Sequence, residues 1–187
     1  MADWDTLYKA CNTCGRCGLA KTRTNVVIGD GNKSADIMLI GEGPGYNEDQ
    51  QGIPFVGNAG HLLDKMLSAI GLTREDVYIA NIVKCRPPNN RDPEKSEREA
   101  CIPYLRYQLQ LVRPKIIVLL GRVAAQAIIS PDFKITQQRG QWFEKKGIYF
   151  IATYHPSALL RDEDKKRPAW EDFKQIKLKY ESLKKGV

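Results

Sequence analysis

Histidine, methionine and tryptophan are all scarce in this chain, at two, three and three residues of 187. Two histidines leave no room for a histidine-rich metal centre, and no Ser-His-Asp or Cys-His arrangement is legible. No apolar run approaches the roughly 20 residues that cross a bilayer, so no membrane span is expected. The opening segment, MADWDTLYKACNTC, is acidic and lacks the basic and apolar regions of a signal peptide. The chain has no internal repeat, low-complexity tract or Gly/Ser linker, and neither the G-x-G-x-x-G spacing nor the Lys-Ser/Thr pair of the phosphate-binding loops. With 42% hydrophobic and 27% charged residues, disorder and coiled coil are excluded as descriptions of the whole. The expectation is a soluble, cytoplasmic protein folded as one domain over residues 1–187.

Positive charge is in excess, with 29 Lys and Arg against 22 Asp and Glu, a net +7. Such a balance suits a polyanionic partner, nucleic acid above all, though a generic basic surface has the same sum. Five cysteines are present. In a reducing cytoplasm they are not expected to pair as disulfides. Cys11, Cys14 and Cys17 are spaced in CNTCGRC so that a tight turn can point two sulfurs at one metal, while Cys85 and Cys101 lie far downstream. Four thiolates satisfy a tetrahedral metal or a cubane cluster, so one cysteine is spare.

Four short apolar runs, Ile37–Ile40, Val77–Val83, Ile116–Leu120 and Tyr149–Thr153, show little alternation. That pattern marks strands covered on both faces. Between them, Leu62, Leu63, Met66, Leu67 and Ile70 repeat at helical spacing and stop at Gly71. Leu105, Leu109 and Val112 continue a second helix that ends before Pro114, and RVAAQAII after Gly121 makes a third. The stretch from Trp170 reads as a closing amphipathic helix, Lys-rich outside. Alternating strands and helices predict a three-layer α/β/α domain with a central, mainly parallel four-stranded sheet.

In such sheets ligands bind beyond the carboxyl ends of the strands. The first run ends in Gly41-Glu42-Gly43-Pro44-Gly45, where backbone can approach a ligand closely and Glu42 is suited to be a general base or water anchor. The second contains Asn81 and ends at Lys84-Cys85-Arg86-Pro87-Pro88; the fourth ends at His155-Pro156-Ser157. Phe55, in the loop IPFVGNAG, either stacks on a flat ligand or packs the loop down.

Taken in order, GEGPG, GIPFVGNAGHLL, YIANIVKCRPPNNRDP, Cys101, LLGRVAA and HPSALLR resemble the family 4 uracil-DNA glycosylases, the iron–sulfur members of that superfamily. The resemblance runs from about Cys14 to Arg161. It implies an enzyme that flips uracil out of double- or single-stranded DNA and hydrolyses its N-glycosidic bond, leaving an abasic site and free uracil as product, and working as a monomer. It implies a [4Fe–4S] cluster on Cys14, Cys17, Cys85 and Cys101, with Cys11 spare, although CNTC keeps the pairing Cys11–Cys14 open. Gly41, Glu42 and Gly43 match the loop lining the uracil pocket. Phe55 matches the stacking residue, Asn81 the reader of the polar edge, and His155 the motif histidine on the base. Glu48 is read as a residue crowding the 5-position of the base against thymine.

Toward DNA, Leu159 or Leu160 serves as an apolar wedge and Arg161 contacts phosphate or fills the gap. Lys84, Arg86 and Arg91 are candidates for the backbone. His61 stands where the family has Gln, and Ser157 where Ala is usual; neither is expected to touch the pocket's chemistry. A zinc-stapled nucleic-acid-binding module would account for the cysteines and the charge, but it needs none of the strand-end residues.

Overall fold

A computed structural model describes residues 3–185. Its sheet has six strands in the order β1-β3-β2-β4-β6-β5. Four of them, β2 (Ile37–Gly41), β3 (Val77–Asn81), β4 (Ile116–Leu120) and β6 (Ile148–Thr153), form the parallel centre that the apolar runs predict. The expected count of four is corrected by two antiparallel edges. One is β1 (Asp30–Gly31), too short to show a pattern. The other is β5 (Trp142–Lys145), which is exposed and polar at its end and joins β6 through Lys146 and Gly147, both at positive φ (54° and 75°). Two left-handed residues in a two-residue loop match the twist of a hairpin, so the turn sets the register of this edge.

Consecutive strand residues face opposite layers. Met38, Ile40, Tyr78, Ala80, Ile117 and Leu119 pack beneath α4 (Lys95–Val112) and α5 (Arg122–Ile128). Ile37, Leu39, Val77, Ile79, Val118 and Leu120 pack against α3 (Asn58–Ala69) and α8 (Lys166–Lys185). α3 ends as predicted, with the Gly71 and Leu72 amides returning to the carbonyls of Ser68 and Leu67 at 2.9 and 3.0 Å. The amino-terminal helix α1 (Trp4–Asn12) lies outside α4, where Leu7 and Cys11 meet Tyr104, Tyr107 and Leu111. The remaining short helices are α2 (Tyr46–Gln51), α6 (Ile135–Gln138) and α7 (Pro156–Arg161). β2 occupies the middle of the parallel set, with β3 on one side and β4 on the other. A crevice at the carboxyl ends is the geometric consequence of that switch in direction.

Lys84 contradicts its expected place on the DNA surface. It is 1% exposed, and its Nζ donates to the Asn81 carbonyl at 2.8 Å and to Gln108 Oε1 at 2.5 Å. Gln108, itself 0% exposed, donates onward to the Ile28 carbonyl at 2.8 Å and to the Tyr78 hydroxyl at 3.0 Å. Burial pushes the ammonium down to about 8. At neutral pH the charge is retained, and these acceptors are what offset its desolvation. Gln108→Leu should therefore destabilise the fold by about 1–3 kcal/mol, seen as a lower urea midpoint with unchanged slope. An unshifted midpoint would mean that the ammonium needs no acceptor there.

Candidate functional site

Three strand ends meet at one opening. After β2, the loop Gly41–Gly45 is zipped to the segment after β3: the Ile82 and Val83 amides donate to the Gly41 and Glu42 carbonyls at 2.9 and 3.1 Å. Beyond it α2 begins, and Glu48 braces two loops at once. Its carboxylate accepts from the Gly45 amide at 3.1 Å and from those of Val56 and Gly57, both at 2.9 Å. Its oxygens are thus committed to backbone, so its first action is to fix the loop that carries Phe55.

Phe55 sits at φ 55°, a conformation that a bulky residue adopts only when its surroundings compel it. The compulsion is visible. Arg74 donates to the Pro54 carbonyl at 3.0 Å and to the Phe55 carbonyl, and its Nε is held by Asp64 at 2.7 Å. On the other side Gly60 admits the turn, since a Cβ there would overlap the Phe55 carbonyl and stand 2.9 Å from its Cα. Held in this way, the ring is 5% exposed and packs over Gly41, with its centroid 5.5 Å from that of His155 and an interplanar angle of 31°.

Asn81 ends β3 beside Gly41 and is 2% exposed. Its Oδ1 is the one buried side-chain polar atom among the described residues that has no hydrogen-bond partner. A buried amide oxygen left unpaired is costly, and such an atom at a strand's carboxyl end is an acceptor waiting for a donor.

His155 caps α7. Its Nδ1 accepts from the Ser157 amide at 3.1 Å and lies 2.8 Å from the Ser157 hydroxyl. An Nδ1 that accepts leaves the proton of a neutral ring on Nε2. Burial and the Arg161 cation push the group down to about 4, so the ring is neutral in ordinary buffers. Ser157 therefore does touch the pocket's chemistry, contrary to expectation, while His61 is exposed. Below His155, the end of β6 is pinned to α8 by the Thr153 hydroxyl, which donates to Asp172 at 2.6 Å.

Glu42 is half-buried at the mouth. Burial, and then the Asp92 carboxyl within hydrogen-bonding reach, push it up to about 7; Arg122 and Arg98 pull the other way. Asp92 is in turn ion-paired with Arg122. Glu42, Asp92, Arg122, His155 and Arg161 all line a cavity of about 580 Å³ that is open to solvent. Its position is the one the strand-end rule predicts.

The DNA-facing expectations divide. Arg161 lines this cavity, and Arg86, half-buried, directly precedes Pro87 of its lining. Leu159 is 2% exposed and packs inward, whereas Leu160 is 49% exposed. Arg91 spends both Nη groups on Glu97, at 2.8 and 2.7 Å. The residues missed from sequence are Arg74, Asp92, Arg122, Ser157 and Gly60. Of these only Gly60, a glycine within an apolar helical pattern, carried a signal of close backbone approach.

The cysteines gather apart from this opening. Cys14, Cys17, Cys85 and Cys101 line one small recess together with Cys11, Lys84, Arg23 and Tyr104. None is paired in a disulfide. Among the described residues, no three Cys, His, Asp or Glu side chains come close enough to hold a single metal ion. Two donors are aimed at sulfur: the Lys84 amide reaches Cys101 Sγ at 3.3 Å, and an Arg23 Nη reaches Cys85 Sγ at 3.3 Å. Burial pushes the Cys11 and Cys101 thiols up to about 12 and about 11. Four thiols lining one recess, with N–H donors turned toward two of them, are a donor set that fits a group carrying several irons, which would keep the ligating thiols ionised.

Comparison with known proteins matches residues 28–174 to the model of the uracil DNA glycosylase superfamily. The chain is 47% identical to the type-4 uracil-DNA glycosylase of Archaeoglobus fulgidus, covering 94% of this chain and 92% of that protein. It is 48% identical to that of Sulfurisphaera tokodaii, over 88% and 79%, and 45% identical to that of Thermotoga maritima, over 88% of each. The chain belongs to the type-4 uracil-DNA glycosylases. The matched span contains every strand end described above, as well as Cys85 and Cys101.

Proposed function

We infer that this enzyme excises uracil from DNA, hydrolysing the N-glycosidic bond to leave an abasic site for base excision repair. The observation that carries the reading is the orphaned Asn81 Oδ1 beside the Phe55 ring, a single unpaired acceptor at the edge of a flat apolar wall. Uracil has the matching features: a planar face to stack, and an N3–H donor beside the O4 acceptor. In a duplex the face is stacked and the N3–H is paired, so the base must be extruded first, at a cost of a few kcal/mol. Stacking on Phe55 offsets about 1–3 kcal/mol of that.

Bond cleavage leaves negative charge on the departing uracil and a cationic sugar. His155, neutral and carrying its proton on Nε2, donates a hydrogen bond to the developing anion without having to surrender the proton. The glycine-loop amides add to this, and preorganised donors of this kind are each worth about 2.7–4 kcal/mol. Glu42 orients the water and takes its proton. Of the two lysines nearest this opening, Lys84 is buried against Gln108, and Lys165, on the cavity lining, is ion-paired with Asp162 at 2.9 Å, so neither is free as a nucleophile. The expected product is therefore an abasic site with no Schiff base and no strand scission. The enzyme acts as a monomer on double- or single-stranded DNA, with Arg86, Leu160 and Arg161 on the strand that carries the uracil. No helix among the described residues is long and apolar enough to cross a membrane.

Cys14, Cys17, Cys85 and Cys101 would hold a [4Fe–4S] cluster that ties the amino-terminal segment to the end of β3 and to α4, with Cys11 left as a buried neighbour. The cluster's contribution would be structural, adding to the apolar packing of α1 on α4. Purified protein should be yellow-brown with about four irons per chain. Serine at any of these four positions should remove colour and lower the melting temperature, whereas Cys11→Ser should keep the colour. Colourless protein holding one zinc would overturn the assignment.

Activity is tested by incubating a uracil-containing oligonucleotide with the enzyme and then treating it with alkali; strand breaks should appear only after alkali. Because the Glu42 carboxylate is the active form, the excision rate should rise with pH up to about 7 and level off above it. Glu42→Gln should be slower by roughly 10²–10⁴-fold and lose that rise. A pH rise preserved in the Gln variant would assign the ionisation to another group.

A further inference from the structure

Five large apolar or aromatic side chains stand exposed among the described residues: Tyr46, Ile53, Leu160, Trp170 and Leu178. Leu160 lies on α7, whose Ser157, Ala158 and Arg161 form one part of the cavity lining. Tyr46 lies at the start of α2, directly after Pro44 and Gly45, which form another. At 56% it is the most exposed aromatic of the five. It is also not free to wander. The Arg86 guanidinium lies 5.1 Å from its ring centroid, and Arg86 is itself fixed by its Nε, which donates to Asn90 Oδ1 at 2.7 Å. Pro87, next to Arg86 in the chain, and Asn90, which holds its guanidinium, belong to the same lining.

An aromatic ring backed by a fixed cation and open over most of its surface is what an unpaired nucleobase stacks on. A ring that merely covered α2 would be packed against it, and Tyr46 is not. The surrounding charge selects the same partner. Arg86, Arg161 and Lys165 stand on the lining or at its edge, with the two Nη groups of Arg86 making no protein hydrogen bond among the described residues. A strand whose uridine enters the cavity has to pass this rim on its way in or out.

We propose that Tyr46, backed by Arg86, is a stacking platform for the base next to the extruded uridine, and that it sets affinity for the uracil-bearing strand. The proposal rests on the reading of the cavity as the uracil site. Tyr46 does not enter that cavity and takes no part in bond cleavage; its contribution is to binding.

The test compares Tyr46→Ala and Tyr46→Phe with the unaltered enzyme on a single-stranded uracil oligonucleotide and on a U·G duplex. Base–aromatic stacks elsewhere correspond to roughly 5- to 150-fold in affinity. Tyr46→Ala should raise KM about tenfold, with kcat within twofold and inhibition by free uracil unchanged. Tyr46→Phe should restore KM, because the face and not the hydroxyl does the stacking. The salt dependence of KM should be the same in all three proteins, since no charge is removed. A 2-aminopurine placed beside the uracil should be quenched on binding by the unaltered enzyme and not by Tyr46→Ala. An unchanged KM in Tyr46→Ala, or a Phe variant as weak as Ala, overturns the platform while leaving uracil excision standing. Absence of uracil release by the unaltered enzyme would instead bring down the reading of the cavity.

Discussion

A Cβ at residue 41 would overlap Asn81 Oδ1 and stand 2.7 Å from the Phe55 ring, so the site exists only because that position carries no side chain. Every other feature follows from this contact. Gly41 ends β2 in the middle of the parallel sheet, in register with Asn81 at the end of β3. With no side chain between them, the amide of one strand end and an aromatic ring from the following loop approach each other directly. An aromatic ring and an unpaired acceptor therefore stand side by side at the strand ends. Glu48 and Arg74 hold the ring in place by gripping backbone around it.

The two ionisable groups of the site are set apart by their surroundings. Both are removed from water, which favours the neutral form of each. For Glu42 that means a rise to about 7, reinforced by a second carboxyl at Asp92; for His155 it means a fall to about 4, reinforced by Arg161. A base that ionises near neutrality thus faces a histidine that stays neutral throughout. The division suits hydrolysis of a bond whose leaving group departs as an anion, because the donor to that anion does not compete for the proton that the base removes.

The sheet's centre was legible because its strands are covered on both faces and contain little but Ile, Val, Leu, Ala, Tyr and Phe. Its edges were not: Asp30–Gly31 is two residues long, and Trp142–Lys145 reads as a polar stretch until the hairpin closes it. Glu42, Asn81 and His155 were legible because they interrupt apolar runs at strand ends, where a ligand would be expected. Lys84 shares that position in the sequence yet turns inward, because its acceptor Gln108 lies 24 residues away on α4. Nothing in the residues around Lys84 announces that partner. Likewise the choice between Leu159 and Leu160 depends on how α7 is rotated against α3, and a six-residue helix has too little periodicity to reveal it. Ser157 was misjudged for a related reason. Its effect comes through a cap geometry in which Nδ1 of His155 is the acceptor.

The central claim is that Asn81 reads the polar edge of uracil, and the most direct measurement of it is kcat/KM of Asn81→Asp on oligonucleotides carrying uracil or cytosine. The amide offers uracil an acceptor for N3–H and a donor for O4. A carboxylate keeps the acceptor, loses the donor and faces O4 with negative charge. Sites that match a hydrogen-bonding pattern reject the wrong one by about 10⁴–10⁵, so uracil excision should fall by orders of magnitude. A trace of cytosine excision should appear as the carboxylate accepts from the N4 amine. Near-native uracil excision by Asn81→Asp would contradict the account, and the edge of the base would then have to be read by another strand-end residue.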